Sequence, residues 1–249
     1  MSGHSHWARI KHKKAVTDAR RGKEFSKVAR IIIVAARRGG GDPDMNLSLR
    51  YAIDKARAMN MTNDAIDRAI KRGTGEGSAA TFEEVVYEGY GPAGVAVFCE
   101  GLTDNRNRTV GEVRKIFEMA GGSLGGPNSV GWMFDKKGVI LVAASAASED
   151  ALFEVALEAG ADDVQSVGEV FEITCSPVAF EGVKKVLAGK SIPVQSAELT
   201  MIPQTTVRLE GEAAARIIRF IETLEEQDDI QNVHANFDIP DEVLARAGQ

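Results

Sequence analysis

Hydrophobic side chains recur at helical spacing in the first part of the chain and at strand spacing after it. Phe25, Val28, Ile32 and Ala35 are separated by 3, 4 and 3 residues, which lays them along one stripe of a helix. Ala29, Ile33 and Ala36 widen that stripe, and Ile31 falls beside it, where partial exposure is expected. The pattern predicts a first helix from about Asp18 to Arg38. Arg37 and Arg38 occupy its last turn, where the helix dipole favours cations, and Gly39-Gly40-Gly41 stops it. Leu49, Ile53 and Ala56 predict a second helix over about Asn46 to Met59. Ile66, Ala69 and Ile70 predict a third, from an N-cap at Thr62 or Asn63 to Gly73. Three short amphipathic helices in succession make a small bundle.

From Thr81 the period changes to two. FEEVVYEG and GVAVFCEGL read as strands joined through YGPA. A helix capped near Asn107 follows, with Val110, Val113, Phe117 and Ala120 inward, and then a strand, VGWMF. Residues 138–202 spell strand, helix, strand, strand, helix, strand, which is the ferredoxin-like order. After Pro203 come strand TVRLEG, helix EAAARIIRFIETLEEQ and strand IQNVHANFDI. Residues 81–134 and this tail together are expected to complete a second such set. The fold expected is α+β: an N-terminal three-helix domain followed by two ferredoxin-like α/β domains, the last inserted into the middle one. The boundaries are 1–78, 79–136 with 204–249, and 137–203, and GTGEGSAA at 73–80 is the linker after the helices.

Charge divides the chain at the same place. Residues 1–75 carry 17 Lys/Arg against 7 Asp/Glu, a net +10, and residues 76–249 carry 13 against 29, a net −16. An overall charge of −6 therefore hides a bipolar molecule. A basic segment on an acidic protein points to a polyanion, because each neutralised phosphate releases condensed counterions. Cys99 and Cys175 each lie in an apolar strand-like run and read as buried small hydrophobes in a reduced compartment. The longest strongly apolar run, residues 31–36, is too short for a bilayer, and the start of the chain lacks a secretory signal's apolar core. A cytoplasmic protein is expected.

The candidate nucleic-acid contacts are Arg9, Lys11, His12, Lys13, Lys14, Arg20, Arg21, Lys23 and Lys27, with Arg37 and Arg38 as a second group. Secondary candidates are the Gly39, Gly40, Gly41 loop and Arg50 and Arg57, which stand seven residues apart near one helix face. Trp7 could stack on a base, although docking the arm onto the helices is its plainer role. Arg106 and Arg108 flank a helix N-terminus, a place suited to anions, yet Asp104, Asn105 and Asn107 are also ordinary turn and cap residues.

Other motifs do not hold together. GYGPAG at 89–94 has the glycine spacing of a dinucleotide loop but contains Pro92 and leads into a strand rather than a helix. Gly189-Lys190-Ser191 follows a helix and precedes a strand, the reverse of a phosphate loop, and Lys184 stands where its first glycine belongs. No nucleophile stands beside a base in any recognised pattern, and Glu83-Glu84, Asp162-Asp163 and Asp228-Asp229 are adjacent pairs, which do not converge and read as solvated surface. A non-enzymatic protein with no cofactor and no metal is expected.

The stretches MSGHSHWARIKHKKAVTDARRGKEFSKVAR, AARRGGGDPDMNLSLRYAIDKARAMNM, YEGYGPAGVAV, LTDNRNRTVGEVR, GGSLGGPNSVGWMF, LEAGADDV and MIPQTTV closely resemble the YebC/PmpR family over essentially the whole chain. The resemblance implies one helical and two ferredoxin-like domains and no enzymatic activity. It implies either a DNA-binding transcriptional regulator, the usual description, or a ribosome-associated translation factor like the mitochondrial relative, a translational activator. Two positions depart from the family pattern: Ile31, where an acid is expected, and Asn128, where a glycine is expected. Neither touches the basic arm. The short helices carry no evident helix-turn-helix, and the acidic body would be repelled by a duplex. The balance therefore falls to ribosomal RNA, with double-stranded DNA as the alternative. Ribosomal proteins would meet the acidic domains, no membrane is involved, and a monomer is expected.

Overall fold

The computed structural model describes residues 18–75 and 81–240, with side chains described from Gly22 onward. Three helices come first: α1 (Asp18–Gly39), α2 (Leu47–Ala58) and α3 (Asn63–Thr74). Asn46 joins the first two. Its Oδ1 accepts the Leu49 N–H at 3.1 Å, and its Nδ2 donates to the carbonyls of Ala35 and Gly40, each at 2.8 Å. One buried side chain thus caps the start of α2 and satisfies carbonyls at the end of α1. Thr62 caps α3 through Oγ1, and Gly75 closes it in the left-handed conformation. Val28, Ile32, Ile33, Leu49, Ala52, Ile53, Ile66 and Ala69 form the core between the helices. Ile31 is half-buried at its margin.

The described residues divide into two compact units, residues 132–205 and the remainder. In the larger unit the helices are followed by β1 (Glu83–Tyr90), β2 (Ala96–Thr103), α4 (Arg106–Met119) and β3 (Ser123–Leu124). The smaller unit contains β4 (Phe134–Ala143), α5 (Glu149–Glu158), β5 (Ala161–Val167), β6 (Val170–Cys175), α6 (Phe180–Gly189) and β7 (Val194–Pro203). The larger unit resumes with β8 (Val207–Arg208), α7 (Gly211–Glu226), β9 (Ile230–Ala235) and β10 (Phe237–Asp238). The architecture is α+β, helices first and sheet units after.

The smaller unit has the strand order β5-β6-β4-β7, every neighbour antiparallel. This is the order that a β-α-β-β-α-β chain adopts in a ferredoxin-like sheet. Ile140, Val142, Ile173 and Cys175 from the sheet and Leu152, Phe180, Val183 and Leu187 from the helices are buried. VGWMF does not form a strand of its own. β4 begins at Phe134 and runs without a break through Asp135-Lys136-Lys137 to Ala143, because the polar residues pair along β7 as regularly as the apolar ones do.

The larger unit's sheet has the order β3-β1-β2-β9. Its connectivity differs from the β-α-β-β-α-β set expected for residues 81–134 with the tail. The two central strands are consecutive in the chain and pair along their full length from Glu83–Thr103 to Tyr90–Ala96. The tight connection at Gly91–Val95 forces this: Gly91 and Val95 are hydrogen-bonded, and a link that short can only join antiparallel neighbours. α4 and α7 pack on one face of the sheet, where the Phe117 and Phe220 rings meet edge to face at 4.9 Å between centroids. Val85, Val97, Cys99, Val113, Ile217, Ile221 and Val233 complete this core. Both cysteines are free and fully buried, and burial pushes each thiol upward, which leaves them unreactive.

The glycine-rich segment before residue 132 is held by one carboxylate. Glu88 accepts the N–H groups of Asn128 at 2.8 Å, Val130 at 2.9 Å and Gly131 at 2.6 Å. Asn128 has φ +66°, the left-handed region that favours glycine and tolerates asparagine. This accounts for the departure at that position, since Asn keeps the backbone shape that Gly would give. Asn128→Ala is expected to lower the free energy of unfolding by about 1 kcal/mol and Asn128→Gly to leave it nearly unchanged, as read by urea denaturation.

Among the described residues, no helix is long and apolar enough to cross a membrane.

Candidate nucleic-acid interface

Arg9, Lys11, His12, Lys13, Lys14 and Trp7 lie outside the described residues. Arg20 and Arg21 belong to α1, but their side chains also lie outside the description. The remaining candidates have definite places, and several of them face other parts of this same chain.

α1 has two working faces. The apolar one packs on α2 and α3. Opposite it stand Lys23, Lys27 and Arg30, spaced by 4 and 3 residues and hence on one stripe. This stripe meets the C-terminal end of α7. Lys23 Nζ donates to the Glu226 carbonyl at 3.4 Å and lies 3.7 Å from the Asp228 carboxylate. Lys27 is 5 % exposed, and its Nζ donates to the Glu225 carbonyl. Arg30 donates through Nη1 to the Asp228 carbonyl at 2.7 Å and to Asp229 Oδ1 at 2.8 Å, with its guanidinium 5.3 Å from the Phe82 ring centroid. The last carbonyls of a helix lack intrahelical partners and carry the negative end of its dipole, so cations stabilise them. Arg38 continues the same side of α1 and is hydrogen-bonded to Glu84.

Asp229 is the centre of this junction. It is 2 % exposed, and its carboxylate receives Arg30 from α1, Arg108 at 2.7 Å and the hydroxyls of Thr109 at 2.7 Å and Thr103 at 3.1 Å. Burial alone would raise its pKa. The Thr109 hydroxyl, the Arg108 guanidinium and the Thr103 hydroxyl outweigh that and hold it below the ordinary carboxylate value of 3.8. The charge is thus taken from water and repaid by hydrogen bonds from three elements, the condition under which a buried ion stabilises a structure.

The DNRNRT stretch serves the same junction. α4 is capped by Asn105, not Asn107: the Asn105 Oδ1 accepts the Arg108 N–H at 3.1 Å. Asn105 is the residue whose extended backbone aims its side chain at the third helical N–H, which is what a cap requires. Arg108 then bridges Asp104 at 2.8 Å and Asp229, while Arg106 Nε lies 3.8 Å from Glu83. Both arginines have carboxylate partners. Arg50 braces the loop before α2, donating to the carbonyls of Pro43 and Asp44, each at 3.1 Å. Arg57 is exposed. Gly39, Gly40 and Gly41 follow α1 as expected. A Cβ on Gly39 would stand 2.6 Å from Asn46 Nδ2, so the Asn46 cap requires glycine there.

Arg30, Thr103 and Thr109 were not among the candidates, and Asp229, read as solvated surface with Asp228, is instead buried and holds four side chains. The Lys23, Lys27, Arg30 stripe was visible as a spacing on α1. Its partner was not, because Asp229 lies about 200 residues away in the chain. Among the described residues, no group of three or more His, Cys, Asp or Glu side chains could hold a metal ion.

A three-helix bundle fastened by its cationic stripe to an α/β unit, with a second α/β unit carried within it along the chain, defines a class of multidomain α+β protein. Within that class the chain belongs to the TACO1/YebC family. Residues 5–76 match the TACO1/YebC protein N-terminal domain, and residues 82–237 match the TACO1/YebC second and third domain. A "probable transcriptional regulatory protein" of Desulforapulum autotrophicum is 53% identical over 243 residues, covering 98% of each chain. One of Geobacter sulfurreducens is 52% identical over 246 residues, covering 99% of each. The crystal structure of a conserved hypothetical protein from Aquifex aeolicus superposes with a TM-score of 0.85 at 49% identity, covering 96% of this chain and 99% of that one.

Proposed function

We propose that this protein is a non-enzymatic regulator of gene expression that associates with the ribosome, binding ribosomal RNA through its basic N-terminal domain and acting as a translation factor. The observation that carries this reading is the partition of charge, +10 over residues 1–75 against −16 over the rest. A molecule so divided suits a basic end entering an RNA-rich site while the acidic body meets basic ribosomal proteins. The contacts proposed are Arg9, Lys11, His12, Lys13, Lys14, Arg20 and Arg21, with Arg37 from the described part of the bundle. Lys23 and Lys27 take a different role, holding the bundle to α7. A cytoplasmic location and a monomeric state accompany this proposal.

The second reading is a DNA-binding transcriptional regulator, favoured by the shared name of the relatives. Co-sedimentation with ribosomes, beside binding to a mixed-sequence DNA duplex at the same near-physiological salt, separates the two. Ribosome association with only weak, salt-sensitive DNA binding is expected. Tight DNA binding that discriminates between sequences, without ribosome association, would replace the translational reading by the transcriptional one.

A further inference from the structure

α1 and α3 end side by side. Gly73, in the last turn of α3, lies against α1 so closely that a Cβ there would stand 2.6 Å from the Ile33 carbonyl oxygen and 2.7 Å from the Ala36 Cβ. Gly41, just past α1, faces α3: its Cβ would stand 2.9 Å from Thr74 Cγ2 and 3.1 Å from Ile70 Cγ2. The two last turns therefore bring Arg37 and Arg38 of α1 together with Lys71 and Arg72 of α3, and all four are exposed. Cations in last turns are ordinary partners of the helix dipole and need no ligand. Two features go beyond that. First, two such ends are joined at one place. Second, Arg37, Lys71 and Arg72 hold no ion pair among the described residues, although Asp67 stands four residues before Lys71, a spacing at which such pairs form. Asp42 and Asp44 of the adjoining loop form no ion pair with them among the described residues, and Asp42 accepts the Asp44 N–H within that loop. A Cβ on Gly40, at φ +86°, would meet nothing within 4 Å, so the loop after α1 is open at that point.

Resting on the RNA reading above, we infer that the joined C-terminal turns of α1 and α3 form a docking surface for the phosphate backbone of RNA, with Arg37, Lys71 and Arg72 as its contacts. The α1 stripe at Lys23, Lys27 and Arg30 is engaged by α7, whereas Arg37, Lys71 and Arg72 hold no ion pair among the described residues. The three cations are assigned to phosphates, the contacts that position a nucleic acid.

The test uses the full chain, a mixed-sequence RNA hairpin and the DNA duplex of the same sequence, each titrated over a salt series. The variant Arg37→Gln/Lys71→Gln/Arg72→Gln is expected to bind the hairpin about 10- to 100-fold more weakly near physiological salt, with a log–log salt slope shallower by roughly 2. Asp67→Asn, which removes the acid one turn before Lys71, is expected to tighten binding several-fold. Unchanged affinity and slope in the triple variant, while charge reversal of Lys11, Lys13 and Lys14 still abolishes binding, would overturn this surface and leave the RNA reading standing. Wild-type protein that binds no RNA would overturn the reading and the surface together. Wild-type binding that is tighter to the duplex, with the same loss in the triple variant, would overturn RNA as the occupant.

Discussion

Reversing Lys11, Lys13 and Lys14 to glutamate is expected to abolish ribosome association while the protein stays folded. The three substitutions change the net charge of residues 1–75 from +10 to +4. Each lost phosphate contact removes roughly 0.7 to 0.9 from the salt slope, and each glutamate adds repulsion. Three contacts together are expected to cost at least about 100-fold in affinity near physiological salt. The described core of the bundle is built from Val28 onward, so the thermal unfolding midpoint is expected to hold. Co-sedimentation and a melting curve on the same preparation check both halves. A variant that still pellets with ribosomes would place the anchor in the acidic domains and make the protein a protein-interaction module. A variant that neither pellets nor melts cooperatively would show a structural role for the three lysines.

The second large effect is expected at Asp229. Asp229→Ala leaves Thr103 and Thr109 with a buried cavity in place of their acceptor and leaves Arg30 and Arg108 without their shared carboxylate. Removing one partner of a buried pair costs about 3 to 5 kcal/mol, and the part-exposed arginines recover some of this from water. A loss of about 3 kcal/mol in urea denaturation is therefore expected. The same group sets an acid limb. Its folded pKa lies below the unfolded value of 3.8, so it binds its proton more weakly in the folded state. Its contribution is complete above about pH 5 and is lost as the pH falls through 3.8 toward the folded pKa. Asp229→Asn keeps the shape and removes the charge. Its stability is expected to fall less steeply between pH 4 and pH 2 than that of the wild type. Parallel acid limbs would show that Asp229 does not carry this dependence.

Much of the architecture was legible from periodicity. The α1 stripe of Val28 and Ile32, the stop at Gly39 and the Thr62 cap all appear where spacing and cap chemistry put them, because these depend on residues within one or two turns. The ferredoxin-like order of residues 138–202 followed from the same local signals. Local signals also explain the misplacements. A cap can stand at either of two asparagines in DNRNRT, and the choice of Asn105 rests on backbone geometry that the residue types do not specify. VGWMF and the strand opening at residue 138 read as two strands because polar residues separate them, yet one ladder to β7 runs from Phe134 through those polar residues to Val142.

What the sequence by itself determined is the bipolar charge, the helices-then-sheets order, the burial of both cysteines and the family to which the chain belongs. Each of these depends on composition or on neighbours in the chain. Only the tertiary structure decided which cations of the basic segment remain available. Lys23, Lys27 and Arg30 look the same in sequence as Arg37, Lys71 and Arg72. The first three meet the carbonyl end of α7 and the Asp228–Asp229 pair about 200 residues away, while the others meet no acid among the described residues. Helical spacing shows which residues share a face but not which element that face meets. An ion pair depends on a separation of a few ångströms, which is set only when distant segments pack.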